Sequence, residues 1–480
     1  MAGIVWKNVC FSYSERGKHN ALENVNLEIE QGKITVLTGP SGCGKSTLLY
    51  VAAGIYPGHT GVLKQGCVTV SGEKIGSLPP PVRAKRVGMV FQNPDLQFCM
   101  DTVKNELIFC LENIGEDPAS MDEIIAKAVD FCGIPRLLDR KLATLSGGEK
   151  QKAMLACIVA LRPEYLLLDE PFANIDPDAA AELAAKLRKM CDVFGTGIVA
   201  VDHHLGHWTE VADEVVLLKP GGRVGRRGMD PANLPQAELA AEGVAVPGVR
   251  YQAQKPPKPH AGKTKALELA GVTVNIDGCE VLRGAGAAFY SGQVYAVTGK
   301  SGSGKSTFFN TLCRLHKYNG SIRVDGQELK KIPRKKMGHK IGFVFQSPQD
   351  QFVTSNVLDE ITVGLKGNMD EAQAAAEAER ILREIGLWRY RLVSPFMLSQ
   401  GQQRRLAVAA LLAYRCKILV CDEPTYAQDL KALLAVMDGL QRMVAEEGLT
   451  LIFSTHDQKL AADFADHVYE MKEGRLFEKY

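Results

Sequence analysis

The pattern Gly-x-x-x-x-Gly-Lys-[Ser/Thr] occurs twice in this chain of 480 residues, and it permits few local folds. The copies begin at Gly39 and Gly299, directly after the strand-like runs ITVLT and VYAVT. The glycines let consecutive backbone N–H groups turn toward an anion, and a following helix adds the positive end of its dipole. We therefore expect a strand–loop–helix unit that cradles nucleotide phosphates in each half of the chain.

Individual residues of the two loops have separate expected roles in binding ATP and Mg²⁺. Lys45 and Lys305 neutralise phosphate charge, and Ser46 and Ser306 offer a hydroxyl to Mg²⁺. The other candidate phosphate-binding residues are Gly39, Ser41, Gly42, Gly44, Thr47, Gly299, Ser301, Gly302, Gly304 and Thr307.

Further motifs recur at a nearly constant spacing, which indicates an internal duplication. The spacing is 260 residues between the two loop lysines and 254 between the Phe-Gln pairs that contain Gln92 and Gln346. It is 253 between the Leu-Ser-x-Gly segments, between two Asp-Glu pairs and between two histidines. Random similarity would not keep one register over so many motifs.

The composition between the halves changes to a segment rich in proline, lysine and glycine, with KPPKP at 255–259. Such a segment is typical of an exposed linker. We therefore expect a first domain at 1–239, a linker at 240–264 and a second domain at 265–480. Alternating strand and helix patterns predict an α/β fold with a mostly parallel sheet in each domain.

Charge and hydrophobic patterning argue against several classes of protein. A formal net charge of +2 gives no general attraction to nucleic acid. No apolar run approaches the ~18 residues needed to cross a bilayer, so we expect no direct membrane insertion. The twelve cysteines include no Cys-x-x-Cys pair, and no secretory signal is visible, which is typical of a cytosolic protein.

Both halves resemble ATP-binding cassette (ABC) ATPase domains, and the resemblance covers nearly the whole chain outside the linker. The motifs stand in the family's order, with the signature segments LSGGEKQ at 145–151 and LSQGQQR at 398–404. The resemblance implies two tandem P-loop NTPase domains of RecA-like fold. Each has a mostly parallel sheet core, an antiparallel β subdomain and a helical subdomain that carries the signature.

An aspartate and a loop glutamine complete the expected Mg²⁺ site of each half. Asp169 and Asp422 end apolar runs, where a carboxylate at the end of a strand can hold Mg²⁺. The resemblance implies that Gln92 and Gln346 sense this ion from a mobile loop. The candidate Mg²⁺ ligands are Ser46, Gln92, Asp169, Ser306, Gln346 and Asp422.

A carboxylate and an imidazole supply the expected chemistry. Glu170 and Glu423 follow the aspartates directly and can polarise the attacking water as general bases. A histidine after the next apolar run can contact the γ-phosphate. The catalytic candidates are Glu170, Glu423, His203, His456, Gln92 and Gln346. A metal site formed with His204 and His207 is the less favoured alternative for His203.

The signature begins a helix, so its serine hydroxyl and backbone N–H groups offer a further anion site. In the family this site faces the γ-phosphate bound by the opposite domain, which implies an intramolecular pair of cassettes with two composite sites. Site one takes its signature from the second half, and site two takes it from the first. The signature candidates are Ser146, Gly147, Gly148, Ser399, Gly401 and Gln402.

Two departures from the family pattern predict that the sites are not equivalent. Tyr13 matches the aromatic residue that stacks on adenine, whereas the corresponding stretch at 272–278 has no aromatic residue. Gln400 stands in the second signature where a glycine is usual. Both halves keep the lysine, the acidic pair and the histidine, so we expect both sites to be active.

Several kinds of tandem ABC protein remain to be distinguished. Chromosome-structure and DNA-repair ATPases of this family have a long coiled coil between the phosphate loop and the signature. Here only 101 and 94 residues separate these two motifs, so that class is excluded. Ribosome-binding translation factors have a long charged linker, and fused sugar-import ATPases usually have a degraded second phosphate loop. Both stay as less favoured alternatives.

The segments FQNPDLQF (91–98) and FQSPQDQF (345–352) resemble the energy-coupling-factor (ECF) importers for vitamins and transition metals. That resemblance implies a transmembrane coupling subunit as partner and, through it, a small integral membrane protein that binds the substrate. The chain would then work at the cytoplasmic face of the membrane without entering it.

Overall fold

The computed structural model describes most of the chain in thirteen stretches. These are residues 3–15, 20–58, 60–92, 97–172, 177–246, 251, 264–276, 278–300, 302–345, 348–366, 369–398, 400–425 and 429–479. The chain forms two compact units. The first comprises Met1–Val249 with Asp429–Lys431, and the second comprises Arg250–Gln428 with Ala432–Tyr480.

The described strands of the first unit are β1 (Gly3–Ser12), β2 (Leu22–Glu30), β3 (Ile34–Thr38), β4 (Val62–Val70), β5 (Glu73–Lys74), β6 (Val87–Val90), β7 (Tyr165–Asp169), β8 (Gly197–Val201), β9 (Glu214–Lys219) and β10 (Arg223–Met229). Its described helices are α1 (Lys45–Ala52), α2 (Pro80–Arg86), α3 (Val103–Asn113), α4 (Pro118–Cys132), α5 (Gly147–Leu161), α6 (Pro177–Phe194) and α7 (Gln236–Ala241).

Two sheets organise this unit. The larger has the order β10-β9-β3-β8-β7-β6, and its strands are parallel except for the antiparallel edge strand β10. The smaller is antiparallel, with the order β2-β1-β4-β5. Strands β3, β7 and β8 are buried along their whole length, as expected when both faces of a parallel sheet are covered. One face packs on α3–α6, and the other packs on α1 and the antiparallel sheet.

The described strands of the second unit are β11 (Lys265–Ile276), β12 (Cys279–Tyr290), β13 (Val294–Thr298), β14 (Asn319–Val324), β15 (Gln327–Glu328), β16 (Ile341–Val344), β17 (Ile418–Cys421), β18 (Thr450–Ser454), β19 (His467–Lys472) and β20 (Arg475–Glu478). The helices in its part of the chain are α8 (Lys305–Leu312), α9 (Arg334–Met337), α10 (Val357–Leu365), α11 (Glu371–Glu384), α12 (Gln400–Ala413), α13 (Leu430–Glu447) and α14 (Gln458–Phe464).

The second unit repeats the topology of the first. Its large sheet has the order β16-β17-β18-β13-β19-β20, and its antiparallel sheet has the order β12-β11-β14-β15. Helices α10–α12 occupy the same place in chain order as α3–α5. The predicted fold is confirmed: two α/β domains, each with a mostly parallel core, an antiparallel sheet and a helical part that carries the signature.

This topology brings the expected site residues to one edge of each large sheet. The phosphate loop follows β3, the first acidic pair stands at the end of β7, and His203 lies two residues after β8. In open α/β sheets, ligands bind beyond the carboxyl ends of the parallel strands. The corresponding strands of the second unit are β13, β17 and β18.

Candidate nucleotide site

The first phosphate loop has a backbone that only glycine adopts without strain. Gly39 has φ of +147°, and a Cβ there would meet Leu218 O at 2.3 Å. Gly44 has φ of +105° and forms the N-cap of α1. The Lys45 ammonium donates to the carbonyls of Gly39 and Pro40, both at 2.9 Å. The loop is therefore closed around its lysine, and α1 begins directly behind it.

The second phosphate loop has nearly the same conformation. Gly299 has φ of +148°, with Met471 O at 2.4 Å from an added Cβ, and Gly304 has φ of +107°. Lys305 Nζ donates to Gly299 O at 2.7 Å and to Lys300 O at 2.9 Å. Since two separate stretches of sequence reach one geometry, that geometry follows from the motif itself.

The remaining loop residues lie around the first turn of the following helix. Ser41 and Gly302 are exposed in their loops, whereas Thr47 is buried and Thr307 is half-buried. Gly42 takes φ of +74°, as does its counterpart in the second loop. Ser301 lies outside the described residues.

A carboxylate stands beside the first turn of α1. Asp169 accepts hydrogen bonds from the hydroxyl of Ser46 at 2.9 Å and from that of Tyr50 at 3.1 Å. Burial, with the neighbouring Glu170 carboxylate, raises the pKa of Asp169 to about 6. A buried carboxylate with a hydroxyl beside it is the all-oxygen donor set that suits Mg²⁺.

Glu170 lies at the centre of a polar cluster in the first unit. Its Oε1 is 3.1 Å from His203 Nε2, and its Oε2 accepts from the Gln92 amide at 2.7 Å. Glu170 itself has φ of +48°, a conformation that is uncommon outside glycine and often marks a functional site. The structure therefore brings together three of the residues predicted to act in catalysis.

The second unit has the same strained backbone at the equivalent glutamate. Glu423 has φ of +49°, and its Oε1 is 3.5 Å from His456 Nδ1. Burial pushes the pKa of Glu423 up, but the hydrogen bond with His456 and the nearby Lys305 charge outweigh it, so the pKa lies below its usual range. The Glu423 contact in turn raises the pKa of His456. Gln346 lies outside the described residues.

Asp422 is held like its counterpart in the first unit, but one of its two hydroxyl donors differs. It accepts from Ser454 Oγ at 2.6 Å and from the Ser306 hydroxyl. Burial raises its pKa above the usual value.

The first signature forms a complete capping box at the start of α5. The Ser146 hydroxyl accepts from Glu149 N, and the Glu149 carboxylate accepts from Ser146 N at 2.8 Å. Gly147 and Gly148 are the first residues of the helix. In the second signature, Gly401 and Gln402 lie in the first turn of α12, whereas Ser399 lies outside the described residues.

Tyr13 stands beside the first phosphate loop. Its hydroxyl is 2.6 Å from Thr47 Oγ1, and its ring meets those of Phe11 and Tyr56 edge to face. The Tyr13 side chain is 52% exposed, so one side of the ring remains open to a ligand. An adenine-stacking role stays a prediction.

Comparison with known proteins gives the family. The family model described as "ABC transporter" matches residues 22–173 and 282–426. A putative HMP/thiamine import ATP-binding protein of Bacillus subtilis, YkoD, is 33% identical over 96% of this chain and 88% of its own length. The chain belongs to the ABC transporter family. A putative ABC transporter ATP-binding protein of Methanosarcina mazei is 30% identical over 98% of this chain and 88% of its own length.

The predicted identity as an ABC ATPase with two fused cassettes is therefore confirmed. Among solved structures, the archaeal ribosome recycling factor aABCE1 aligns with a TM-score of 0.63 and 18% identity, over 97% of this chain and 89% of its own. That likeness shows the fold alone. In the described residues, no helix combines the length and the apolar character needed to cross a membrane.

Sequence reasoning did not find Tyr50 or Arg404. The Tyr50 hydroxyl reaches Asp169 from the second turn of α1, at a position where the second cassette has Asn310. The Arg404 side chain is 3% exposed, and its Nη1 donates to the Glu423 carbonyl at 2.9 Å. Arg404 belongs to the second signature segment, so its place in that motif was the only available signal.

The segments 91–98 and 345–352 share the pattern Phe-Gln-x-Pro-x-x-Gln, and the pattern does not show what its second glutamine bonds. Gln97 accepts from Phe91 N at 2.7 Å and donates to Met89 O at 2.9 Å, so its side chain bonds to the end of β6 and to the residue that follows it. Gln351 accepts from Phe345 N at 3.4 Å but donates to Ala407 O of α12 at 3.0 Å. The same residue type thus bonds to the core sheet in one cassette and to the signature helix in the other.

Proposed function

We propose that this chain is the ATP-hydrolysing subunit of an ECF-type importer for a vitamin or a transition-metal ion. The observation that carries the proposal is that two intact cassettes are fused and both contain the Phe-Gln-x-Pro-x-x-Gln turn. The Bacillus subtilis relative, a putative HMP/thiamine import ATP-binding protein that is 33% identical over nearly the whole chain, supports the same class of transporter.

ATP would bind at two composite sites, each made of one cassette's phosphate loop and the other's signature. Site one would use Lys45 and Glu170 with the signature at 399–401, and site two would use Lys305 and Glu423 with the signature at 146–148. This pairing rests on the family resemblance. Fusion raises the effective concentration of each half for the other.

Mg²⁺ would be held by Ser46 and Asp169 in one site and by Ser306 and Asp422 in the other. Gln92 and Gln346 are proposed as further ligands. The contact between each serine and its aspartate fits an ion that prefers oxygen donors. When bound, Mg²⁺ neutralises developing charge on the phosphates.

The residues of the chain would carry out the proton transfer. Glu170 would accept the proton of the attacking water, since its Oε1 contacts His203 and its Oε2 contacts Gln92. Both contacts orient the carboxylate, and the strained backbone fixes where it points. In the second cassette, Glu423 would take the same part, with its Oε1 3.5 Å from His456 Nδ1.

An exposed apolar patch on the second cassette supports a membrane partner. It consists of Val353, Leu392, Phe396 and Met397, which are 77%, 74%, 53% and 79% exposed. Phe352 packs on Phe396 with ring centres 5.9 Å apart, so the end of the glutamine turn adjoins the segment before the signature. Exposed apolar clusters of this kind mark interaction sites, and we assign this one to a cytoplasmic helix of the coupling subunit.

Hydrogen bonds connect this patch to the glutamine turn and the signature helix. The buried Gln403 of α12 donates to the carbonyls of Pro395 and Phe396 at 3.1 and 3.3 Å. It also accepts from the Gln349 amide at 3.3 Å. A partner seated on the patch would therefore press on the start of α12 and on the glutamine turn together.

Membrane copurification tests the proposal. The tagged chain, expressed with the membrane proteins encoded beside it, should retain a polytopic membrane protein in detergent. Leu392→Asp combined with Met397→Asp should release that protein, whereas Val193→Asp, an exposed apolar position on α6, should not. A chain that sediments with ribosomes and retains no membrane protein would support the translation-factor alternative instead.

A further inference from the structure

A cleft of about 690 Å³ lies within the second cassette, between its helical part and α13. Helices α11, α12 and α13 form its walls. Its apolar lining includes Ile381, Val408, Leu412, Val436 and Leu440. The volume lies in the range of sites that bind small molecules, roughly 300–1,000 Å³.

The corresponding helices of the first cassette are tied together by side chains. Glu182 on α6 forms ion pairs with Lys152 on α5, at 2.5 Å, and with Lys186, at 3.1 Å. Lys186 Nζ also donates to the carbonyl of Cys132 at the end of α4, at 2.6 Å. The first cassette thus holds its helical part against α6 with its own charges.

The duplication shows what changed in the second cassette. With the spacing of 253 residues, the position of Glu182 becomes Ala435 and that of Lys186 becomes Gly439. Lys152 becomes Arg405, so one cation of the group remains and its carboxylate partner does not. Ala435, Gly439 and Arg405 all line the cleft.

Packing does not require the glycine. Gly439 lies inside α13, its φ is not positive, and a Cβ there would meet nothing within 4 Å. Glycine inside a helix lowers stability relative to alanine, so the helix itself gains nothing from it. What the glycine provides is open space against the apolar wall of α12.

Five carboxylates and four arginines also line the cleft, and Arg380 is paired with two of the carboxylates, Glu377 and Glu384. Arg405 is the arginine that stands in the place of Lys152. Its Nη1 donates to Ile385 O at 3.0 Å, which holds the guanidinium in the wall beside the end of α11. No carboxylate pairs with Arg405 in the described part of the chain. We propose that the cleft binds a small organic acid, whose carboxylate pairs with Arg405 and whose apolar body lies over Gly439.

The ligand's carboxylate would take the place that Glu182 holds in the first cassette. Its apolar body would fill the space left by the lost side chains, against Val408 and Val436. A bound acid would therefore tie the helical part of the second cassette to α13, as the ion pairs tie the first. This inference depends on the cleft alone and not on the identity of the transported substrate.

A series of aryl acids tests the site in the full chain. Phenylacetate, 3-phenylpropionate and 4-phenylbutyrate are titrated by calorimetry and ligand-observed NMR, each beside its uncharged amide. We expect saturable binding of at least one acid, with its amide weaker by roughly tenfold or more, because a charge-assisted hydrogen bond is lost. Absence of binding by all three acids, or equal binding of acid and amide, would overturn the proposal.

Two variants locate the binding. Ala435→Glu with Gly439→Lys restores the side chains of the first cassette and should abolish binding, with the melting temperature as the control for folding. Arg405→Gln keeps the cleft open and should reduce binding of the acid to that of the amide. Undiminished binding in either variant would place the acid elsewhere and contradict the assignment.

Discussion

Gln351 donates a hydrogen bond from its side-chain amide to the carbonyl oxygen of Ala407, at 3.0 Å. Ala407 lies in the signature helix α12, and Gln351 ends the turn that follows the second Phe-Gln pair. In the first cassette, the Gln97 amide donates to Met89 O instead, at the end of β6. The two glutamine turns of this ABC ATPase are therefore fastened to different parts of their cassettes.

Replacing each glutamine by glutamate tests this difference. Glutamate keeps the oxygen that accepts from Phe345 N or Phe91 N but cannot donate to a carbonyl. Gln351→Glu should raise amide exchange in the first turns of α12 about two- to tenfold, the effect of one lost hydrogen bond. The matched control Gln97→Glu should raise exchange at β6 and leave α5 unchanged. An equal rise in amide exchange in both signature helices would show that the two glutamines do not differ in their hydrogen-bond partners.

The general-base assignment predicts the loss of turnover. Glu170→Gln combined with Glu423→Gln removes both carboxylates while keeping side-chain size, and hydrolysis should fall by about 10²–10⁴-fold. Steady-state phosphate release measures the rate, and fluorescent-nucleotide titration checks that ATP still binds. Each single variant should keep part of the activity if both sites turn over. Normal turnover in the double variant would show that neither glutamate is the base.

The hydrogen bond from the Tyr50 hydroxyl indicates that Tyr50 orients the Asp169 carboxylate. Tyr50→Phe removes the 3.1 Å hydrogen bond and frees one carboxylate oxygen to rotate. The Mg²⁺ concentration for half-maximal hydrolysis should rise about two- to tenfold, as expected for the loss of one hydrogen bond to a charged group. Tyr56→Phe is the matched control, because the Tyr56 ring packs on Tyr50 but its hydroxyl has no contact with Asp169 in the described structure. An equal Mg²⁺ shift in both variants would argue for a packing effect.

We expect the stability of the first cassette to depend on pH through the buried carboxyl group of Asp202. Complete burial raises its pKa to about 6, against an ordinary value near 3.9 in an unfolded chain. The folded protein thus binds the proton more tightly, so this group costs stability as the pH rises from about 4 to about 6. The pKa difference corresponds to about 3 kcal/mol at most.

Asp202→Asn should reduce that pH dependence. The variant's absolute stability should fall, because its NH₂ group would face one of the donors, His204 N or Trp208 Nε1, that now bond the carboxylate. Its melting temperature should nevertheless change less between pH 7 and pH 5 than that of the wild type. An unchanged difference would show that Asp202 does not titrate in this range.

We expect that replacing Gly439 by alanine stabilises the folded protein. Gly439→Ala adds a methyl group in open space and removes backbone freedom from the unfolded chain, so stability should rise by about 0.4–1 kcal/mol. The matched control is Gly448, which follows α13 with φ of +68°. Gly448→Ala should destabilise, because alanine is strained there. Thermal denaturation of both variants measures the opposite signs.

The phosphate loops show how much the sequence predicts. Both loops have the expected conformation because their glycines adopt left-handed backbone angles that other residues resist, and this property is local. The α/β class followed from alternating strand and helix patterns for the same reason. The lysines, the acidic pairs and the histidines then came together where the parallel strands end.

The cleft and the hydrogen-bond partners of Gln97 and Gln351 were not predictable in this way. Glu182 and Ala435 look like ordinary helix positions, and their meaning depends on which side chains lie across from them. Gln97 and Gln351 stand in one motif, yet their amides reach Met89 and Ala407. Such pairings join residues from different elements, so packing decides them.

Taken alone, the sequence determined that this chain has two ABC cassettes, where their loops lie and which residues are equivalent by duplication. It could do so because motif geometry and periodicity act over a few residues. Only the tertiary structure decided that Tyr50 bonds Asp169 and that Arg405 faces an open cleft. These contacts span long separations in sequence, and close packing in the folded chain brings their partners together.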